Sequence, residues 1–236
     1  MKKQPCGLGR AIPFLSAGAK LLSISMFVAG LLAQQLALAQ GTTTYLSNLG
    51  QASAGSLAVG SDSWLAAPFG TGFNAGGYVL DSAQLSLTDA SGNPSGFAVM
   101  IYAAGISGPL PVSYLATLHG SLDPVAAGVY TFTPASTLTL RPGVFYDVVL
   151  TAETPIAAGA YEWSFATTSS YNPSGGWFAG LSVLTSGNGS PPSWHVSAGN
   201  YAQFAINASV PEPSALALLA LGGFLFFWHR RNAMAV

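Results

Sequence analysis

The stretch Tyr78-Val79-Leu80-Asp81-Ser82-Ala83-Gln84-Leu85-Ser86-Leu87-Thr88 carries the reading of the fold. Val79, Ala83, Leu85 and Leu87 alternate there with Leu80, Ser82, Gln84, Ser86 and Thr88. Successive side chains of an extended chain point to opposite faces, so a period of two predicts a strand with one face toward a core. The same beat returns at Phe97, Val99 and Ile101, and at Val144, Tyr146, Val148 and Leu150. It recurs at Tyr161, Trp163 and Phe165 against Glu162 and Ser164, and closes with Phe204 and Ile206. Turn-forming clusters separate these runs at 89–94, 105–111, 123–128, 141–143 and 154–159. The segment 41–77 is richer in Gly, Ser and Ala, and its opening strands are expected at Tyr45-Leu46 and Ser63-Trp64-Leu65. No stretch between the two chain ends has helical spacing with caps. About nine short strands at near-regular intervals predict an all-β domain, an antiparallel β-sandwich with a jelly-roll-like arrangement.

Charge narrows what this domain can do. Only 6% of the 236 residues are charged, against 50% apolar. Lys2, Lys3, Arg10 and Lys20 lie at the start and Arg230 and Arg231 at the finish, so between 40 and 209 the sole basic side chain is Arg141. Seven carboxylates stand against it: Asp62, Asp81, Asp89, Asp123, Asp147, Glu153 and Glu162. Such a surface cannot neutralise a phosphate backbone, which argues against nucleic acid as a partner, and it has no cationic patch to draw it to anionic lipid. The one cysteine, Cys6, lies ahead of the domain, which leaves the domain without a thiol for disulfides, metal ligation or nucleophilic attack.

The two ends read as addresses. The basic start is followed by an apolar run from Leu21 to Ala33, then by Ala37-Leu38-Ala39 and Gln40. That order is a secretory signal peptide with a small-residue cleavage site, so residues 1–39 are the expected leader and the mature chain is expected to begin at Gln40 under signal peptidase. An uncleaved N-terminal anchor is the alternative. Cys6 precedes the apolar run and so is no lipoprotein attachment site.

At the other end, 210–236 change character: Val210-Pro211-Glu212-Pro213-Ser214, an uncharged apolar run from Ala215 to Trp228, then His229-Arg230-Arg231. The prolines hold Glu212 in extended chain and stop a helix from running back into the domain. Leu216, Leu218, Leu219, Leu221, Phe224, Leu225, Phe226 and Phe227 would cover every face of a helix, as a membrane-embedded segment requires. At helical rise Ser214 to Trp228 spans roughly 22 Å against about 30 Å of hydrocarbon, short for a permanent anchor. Arg230 and Arg231 would stop translocation on the cytoplasmic side.

This order of motif, apolar helix and terminal arginines resembles the PEP-CTERM sorting signal of Gram-negative, polysaccharide-secreting bacteria, with its motif on Pro211, Glu212 and Pro213. The resemblance implies an exosortase, an integral-membrane cysteine transpeptidase-like enzyme, that reads the tail at the inner membrane and cuts near the motif. It further implies a final place at the cell surface or in the extracellular matrix. The domain at 40–209 is in turn similar to the choice-of-anchor R domain through Ser47-Asn48-Leu49-Gly50, Ser63-Trp64-Leu65-Ala66 with Phe69, and Tyr78-Val79-Leu80-Asp81-Ser82 leading into Leu85-Ser86-Leu87. Tyr130-Thr131-Phe132-Thr133 and Tyr146 before Val148-Val149 fit its later strands. That family implies surface attachment and no particular activity.

The side chains able to do chemistry are few. His119 and His195 are the domain's only imidazoles, and without Lys, Cys or a Gly-x-Ser-x-Gly elbow no catalytic set is expected. Glu153 and Glu162 are isolated acids whose separation a sequence cannot give, so a glycosidase pair has only their residue type behind it. Asp89, Ser91 and Asn93 alternate around Gly92 like half a calcium loop, but the twelfth position is Met100; a turn with Gly92 and Asn93 at positive φ is the better expectation. No metal or cofactor is therefore expected. Tyr171, Trp177 and Trp194 stand beside loop-forming residues, where flat rings could stack on an exopolysaccharide. Packing against the core is the competing role for these rings. The threonines at 42–44, 131, 133, 137 and 139 lack the regular array that an ice- or surface-adhesion face needs. The function expected is that of a non-enzymatic exported surface or matrix protein.

Overall fold

The computed structural model describes residues 41–105, 108–179, 182–189, 193–211 and 222–223. The predicted leader and its cleavage residues Ala37, Ala39 and Gln40 lie outside them, as do Glu212, Pro213, Ser214, Arg230 and Arg231. Among the described residues no helix is long and apolar enough to cross a membrane. Gln40–Pro213 form one compact unit; the other, Met1–Ala39 with Ser214–Val236, falls almost wholly outside the described residues.

Between Thr43 and Pro211 the described residues are strand, turn and loop. Its elements are β1 Thr43–Ser47, β2 Gly55–Val59, β3 Trp64–Gly70, β4 Tyr78–Gly92, β5 Ala98–Gly105, β6 Gly108–His119, β7 Gly128–Pro134 and β8 Thr139–Leu140. They continue as β9 Phe145–Thr151, β10 Gly159–Ala166, β11 Phe178–Ala179, β12 Leu184–Ser186, β13 His195–Val196, β14 Tyr201–Ala202 and β15 Phe204–Ser209. Every named pairing is antiparallel. One set of strands gathers on β4, which pairs with β15 and β10 end to end along one edge and with β8 and β7 along the other. β1 flanks β15, and β2 flanks β10. The second set runs β6-β5-β9-β3-β12-β13, with β11 also on β3. The sets join where Leu118 and His119 of β6 meet Pro134 and Thr133 of β7.

Both sets supply one apolar cluster. Leu80, Leu85 and Leu87 of β4, Phe132, Tyr161, Trp163, Phe204 and Ile206 meet Phe69, Val99, Ile101, Tyr146, Val148 and Leu150 there. Fully burying one such side chain stabilises by roughly 1.5–3 kcal/mol, so this cluster dominates the folding free energy. A second, smaller cluster lies on the opposite face of β9, where Val149 packs with Ala66, Met100, Leu184 and Trp194. β9 is thus buried on both sides, and its apolar run is interrupted only by Asp147.

The deciding stretch departs from simple alternation at one point. β15 pairs Asn207 with Ser82 but Ala208 with Leu80, so Asp81 is an extra residue, a β-bulge. The bulge reverses the phase: Leu80 is buried and Val79 only half-buried, the reverse of strict alternation, while Ala83, Leu85 and Leu87 keep theirs. The expected turn at 89–94 also starts late. β4 stays in strand to Gly92, held by β10 and by Ala90 N donating to Val125 O at 2.8 Å. Gly92 has φ of 63°, while Asn93, like every non-glycine residue described, does not adopt positive φ. β2 lies outside the expected strands, and of the expected turn at 105–111, Gly105 ends β5 while 108–111 already belong to β6.

Candidate functional site

The C-terminal segment leaves the domain from an interior strand. β15 lies between β1 and β4, and Phe204, Ala205, Ile206 and Ala208 are buried. Asn207 ties all three strands with its side chain, accepting from Thr44 Oγ1 at 2.6 Å and donating to Ser82 Oγ at 2.9 Å. Just upstream, Gln203 sits where the chain passes from β10 to β4 as partner. Its side chain accepts from Ser164 Oγ and donates through Nε2 to Gln51 O at 2.7 Å, while its carbonyl accepts Trp163 Nε1 at 3.1 Å. A buried amide costs little only when its donors and acceptors are met, and here both ends are.

The strand stops at Ser209, whose hydroxyl donates to Asp81 Oδ1 at 3.2 Å. Val210 still packs on the core, half-buried, and Pro211 is out of the ladder. Proline has no N–H for a further rung and biases the residue before it to extended geometry, so the sequence itself fixes where the sheet ends. The sorting motif therefore begins directly at the end of a strand bonded on both sides.

The other proposed site residues are placed as follows. Trp177 is 2% exposed, its ring stacked on Tyr45 at 4.9 Å and on Phe69 at 5.9 Å, with Tyr78 edge-on at 5.0 Å. Trp194 is 5% exposed in the smaller cluster. The indole Nε1 of each is buried without a hydrogen-bond partner. Tyr171 is half-buried, edge-on to Phe204 at 5.7 Å and donating to Ala202 O at 3.3 Å; burial pushes its phenol above the ordinary range. Trp177 packs in the main apolar cluster, Trp194 in the smaller one, and Tyr171 lies half-buried against the first, so the three are not brought together on one surface.

His119 and His195 are exposed on separate strands, β6 and β13. Asp89 accepts from Ala127 N at 2.8 Å, tying β4 to the segment before β7, and Ser91 Oγ donates to Glu162 Oε1 at 3.4 Å, linking β4 to β10. Among the described residues no group of three His, Cys, Asp or Glu could hold a metal ion. A cleft of about 230 Å³ opens between the β2–β3 turn and the β12–β13 hairpin, lined by Asp62, Ser63, Thr185, Ser186, Gly187 and His195. Its polar atoms are largely spent on the fold: Asp62 Oδ1 accepts from Ile156 N at 2.8 Å, and Ser186 Oγ accepts from Gly189 N at 2.9 Å.

One of the seven carboxylates is not on the surface at all. Asp147 on β9 is fully buried, with Pro68 and Tyr102 as cross-strand neighbours, and neither carboxylate oxygen has a partner. Desolvation raises its pKa from 3.8 to about 8. A carboxyl in such a site is held neutral near pH 7.

The described domain is all-β and antiparallel, and its last strand runs directly into the C-terminal segment. Residues 209–231 match the PEP-CTERM protein-sorting motif, from the last residue of β15 to Arg231. That motif implies an exported protein routed through the membrane and processed by an exosortase. No curated protein matches the chain. Among solved structures the chain is similar to the cysteine protease and lectin-like domains of Cwp84, a surface layer associated protein of Clostridium difficile, at 12% identity and TM-score 0.47 over 72% of this chain and 36% of that one. It is similar also to the clostridial cysteine protease Cwp84 after propeptide cleavage, again at 12% identity and TM-score 0.47, over 72% of this chain and 40% of that one. The chain spans well under half the length of either.

Proposed function

We propose that this is a non-enzymatic surface or extracellular-matrix protein: a β-sandwich exported behind a cleaved signal peptide, whose PEP-CTERM tail delivers it to an exosortase. The observation that carries the reading is the placement of the motif. It starts at Ser209, the end of an interior strand, so Pro211 follows the strand with one residue between, and Glu212 is the next residue in the sequence. An enzyme that cuts in the membrane plane needs its substrate extended and tethered at a set distance, and a proline-flanked acid between a rigid domain and an apolar run meets that need. The apolar cluster shared by the two sets of strands supports the sandwich, and the short motifs between Ser47 and Val149 support the choice-of-anchor R likeness.

The experiment is an intact-mass measurement on protein from the membrane and the culture fluid of its own host, with and without exosortase. The reading expects a species beginning at Gln40 and ending between Pro211 and Pro213, absent when the enzyme is deleted. A chain still ending at Val236 in wild-type membranes would make the tail a plain anchor and defeat the proposal.

A further inference from the structure

We infer that the end of the domain from which the tail departs is a membrane-contacting foot, in which Phe73 enters the headgroup–acyl boundary of the bilayer that receives the apolar run. The inference rests on the sorting reading above, because it needs that run in lipid. Strand register places the foot. Ser209 pairs with Val79 and Thr43 pairs with Ala208, so the chain enters and leaves the sheet at the Tyr78 end of β4. Leu140 pairs with Tyr78, and Gly70 pairs with Phe145 and Phe178, which brings the segments 71–77, 141–144 and 172–178 to that same end.

These segments are braced to one another. Gly143 N donates to Gly72 O at 2.8 Å, Thr71 Oγ1 donates to Arg141 O at 2.6 Å, and Asn74 N donates to Tyr78 Oη at 3.3 Å. A Cβ on Gly72 would lie 2.0 Å from the Gly175 carbonyl oxygen. On this rigid base Phe73 is 81% exposed, the largest exposure of any big apolar side chain described. Its ring rests against Gly143, where a Cβ would come within 2.9 Å, and near Gly176, where one would lie 4.0 Å away. Phe145 and Phe178, edge-to-face at 4.8 Å, are also part-exposed at this end.

Charge is sorted along the same axis. Arg141, the domain's sole cation, is exposed on the turn beside Phe73. Five of the seven carboxylates lie toward the opposite end: Asp89 and Glu162 beside the far half of β4, Asp123 on Tyr161, Asp62 on Ile156 and Glu153 against Gly96. Asp147 is buried in β9, and Asp81 is tied to Ser209. The acids thus point away from an anionic surface and the one cation toward it. Reach keeps this end close to the bilayer: Val210 to Ser214, five residues, span at most about 17 Å when fully extended. A large exposed aromatic held that close to lipid is where interfacial rings are favoured.

The mature chain has no cysteine, so single labels are clean. Phe73→Cys and, at the far end, Leu122→Cys (Leu122 is 76% exposed) would carry an NBD fluorophore in the chain from Gln40 to Val236, mixed with phosphatidylethanolamine–phosphatidylglycerol vesicles containing a shallow nitroxide lipid. Flotation is scored first. In floating protein we expect the label at 73 to be blue-shifted and quenched at least two-fold more than the label at 122. A Pro142→Cys label, which keeps Phe73, should be quenched likewise and lose that quenching when Phe73→Ser is added. Equal, weak quenching at 73, 142 and 122 in floating protein overturns the foot and leaves this end to a polysaccharide or a second copy. Failure to float overturns the sorting reading, and the foot with it.

Discussion

Replacing Asp147 by Asn should stabilise the domain at neutral pH and abolish a specific pH dependence. The folded carboxyl titrates near 8 and the unfolded one near 3.8, with no partner for either oxygen. At every pH between those values the native state holds a proton that the unfolded chain has released. Folding therefore takes up a proton, and stability falls as pH rises, at about 1.4 kcal/mol per pH unit, until it levels off above the folded pKa. Between pH 4 and pH 7 the loss is on the order of 4 kcal/mol, a large part of the 5–15 kcal/mol that typically separates folded from unfolded. Asn keeps the shape and carries no charge, so Asp147→Asn should match the wild type near pH 4 and exceed it by several kcal/mol near pH 7. The assay is urea unfolding of the chain from Gln40 to Pro213, followed by tryptophan emission in steps from pH 4 to 9. The other seven side-chain carboxylates of that chain, Glu212 included, titrate in both proteins and cancel in the difference. A difference that stays constant with pH, or an Asn variant weaker at pH 7, would show that the carboxylate is charged and partnered, and would refute the argument.

Three further outcomes are expected. Gln203→Ala strands Gln51 O without its donor and removes an acceptor from Ser164, which should cost about 1–3 kcal/mol, read as a lower urea midpoint. Gly72→Ala forces a Cβ onto the Gly175 carbonyl oxygen and should cost about 1–3 kcal/mol by thermal melting, while Gly128→Ala, with nothing nearer than 3.7 Å, should change stability by less than about 0.5 kcal/mol. Pro211→Ala combined with Pro213→Ala should slow processing at the tail, seen in pulse-chase as full-length protein accumulating in the membrane, with the melting of the domain unchanged; unaltered processing would remove the prolines from recognition.

What the sequence made legible divides by the range of the interactions involved. The core face of β9, Tyr146, Val148 and Leu150, and the strand with Trp163 at its centre were readable because period two is a local property. β2 was not: Gly55-Ser56-Leu57-Ala58-Val59 has little strand propensity of its own and is ordered by pairing with β10, a hundred residues on in the chain. The phase error at Val79 and Leu80 has the same origin, since the bulge at Asp81 is defined only against β15. Val149 and Asp147 looked like the solvent face of their strand, and become interior because Trp194 and Leu184 arrive from a distant segment. The sequence placed Trp177 beside loop-forming residues and left both stacking and packing open; which partners enclose it is a long-range matter, since Tyr45, Phe69 and Tyr78 reach it from three strands. The sorting motif was legible for the opposite reason. An enzyme reads it as extended chain, so its information is in residue order and survives without any fold. Register adds the coupling between the two: the strand that delivers Pro211 is bonded on both sides, so a cut beyond Pro211 removes no rung of the sheet. Under the proposed sorting, processing beyond Pro211 would then release the domain without loosening it.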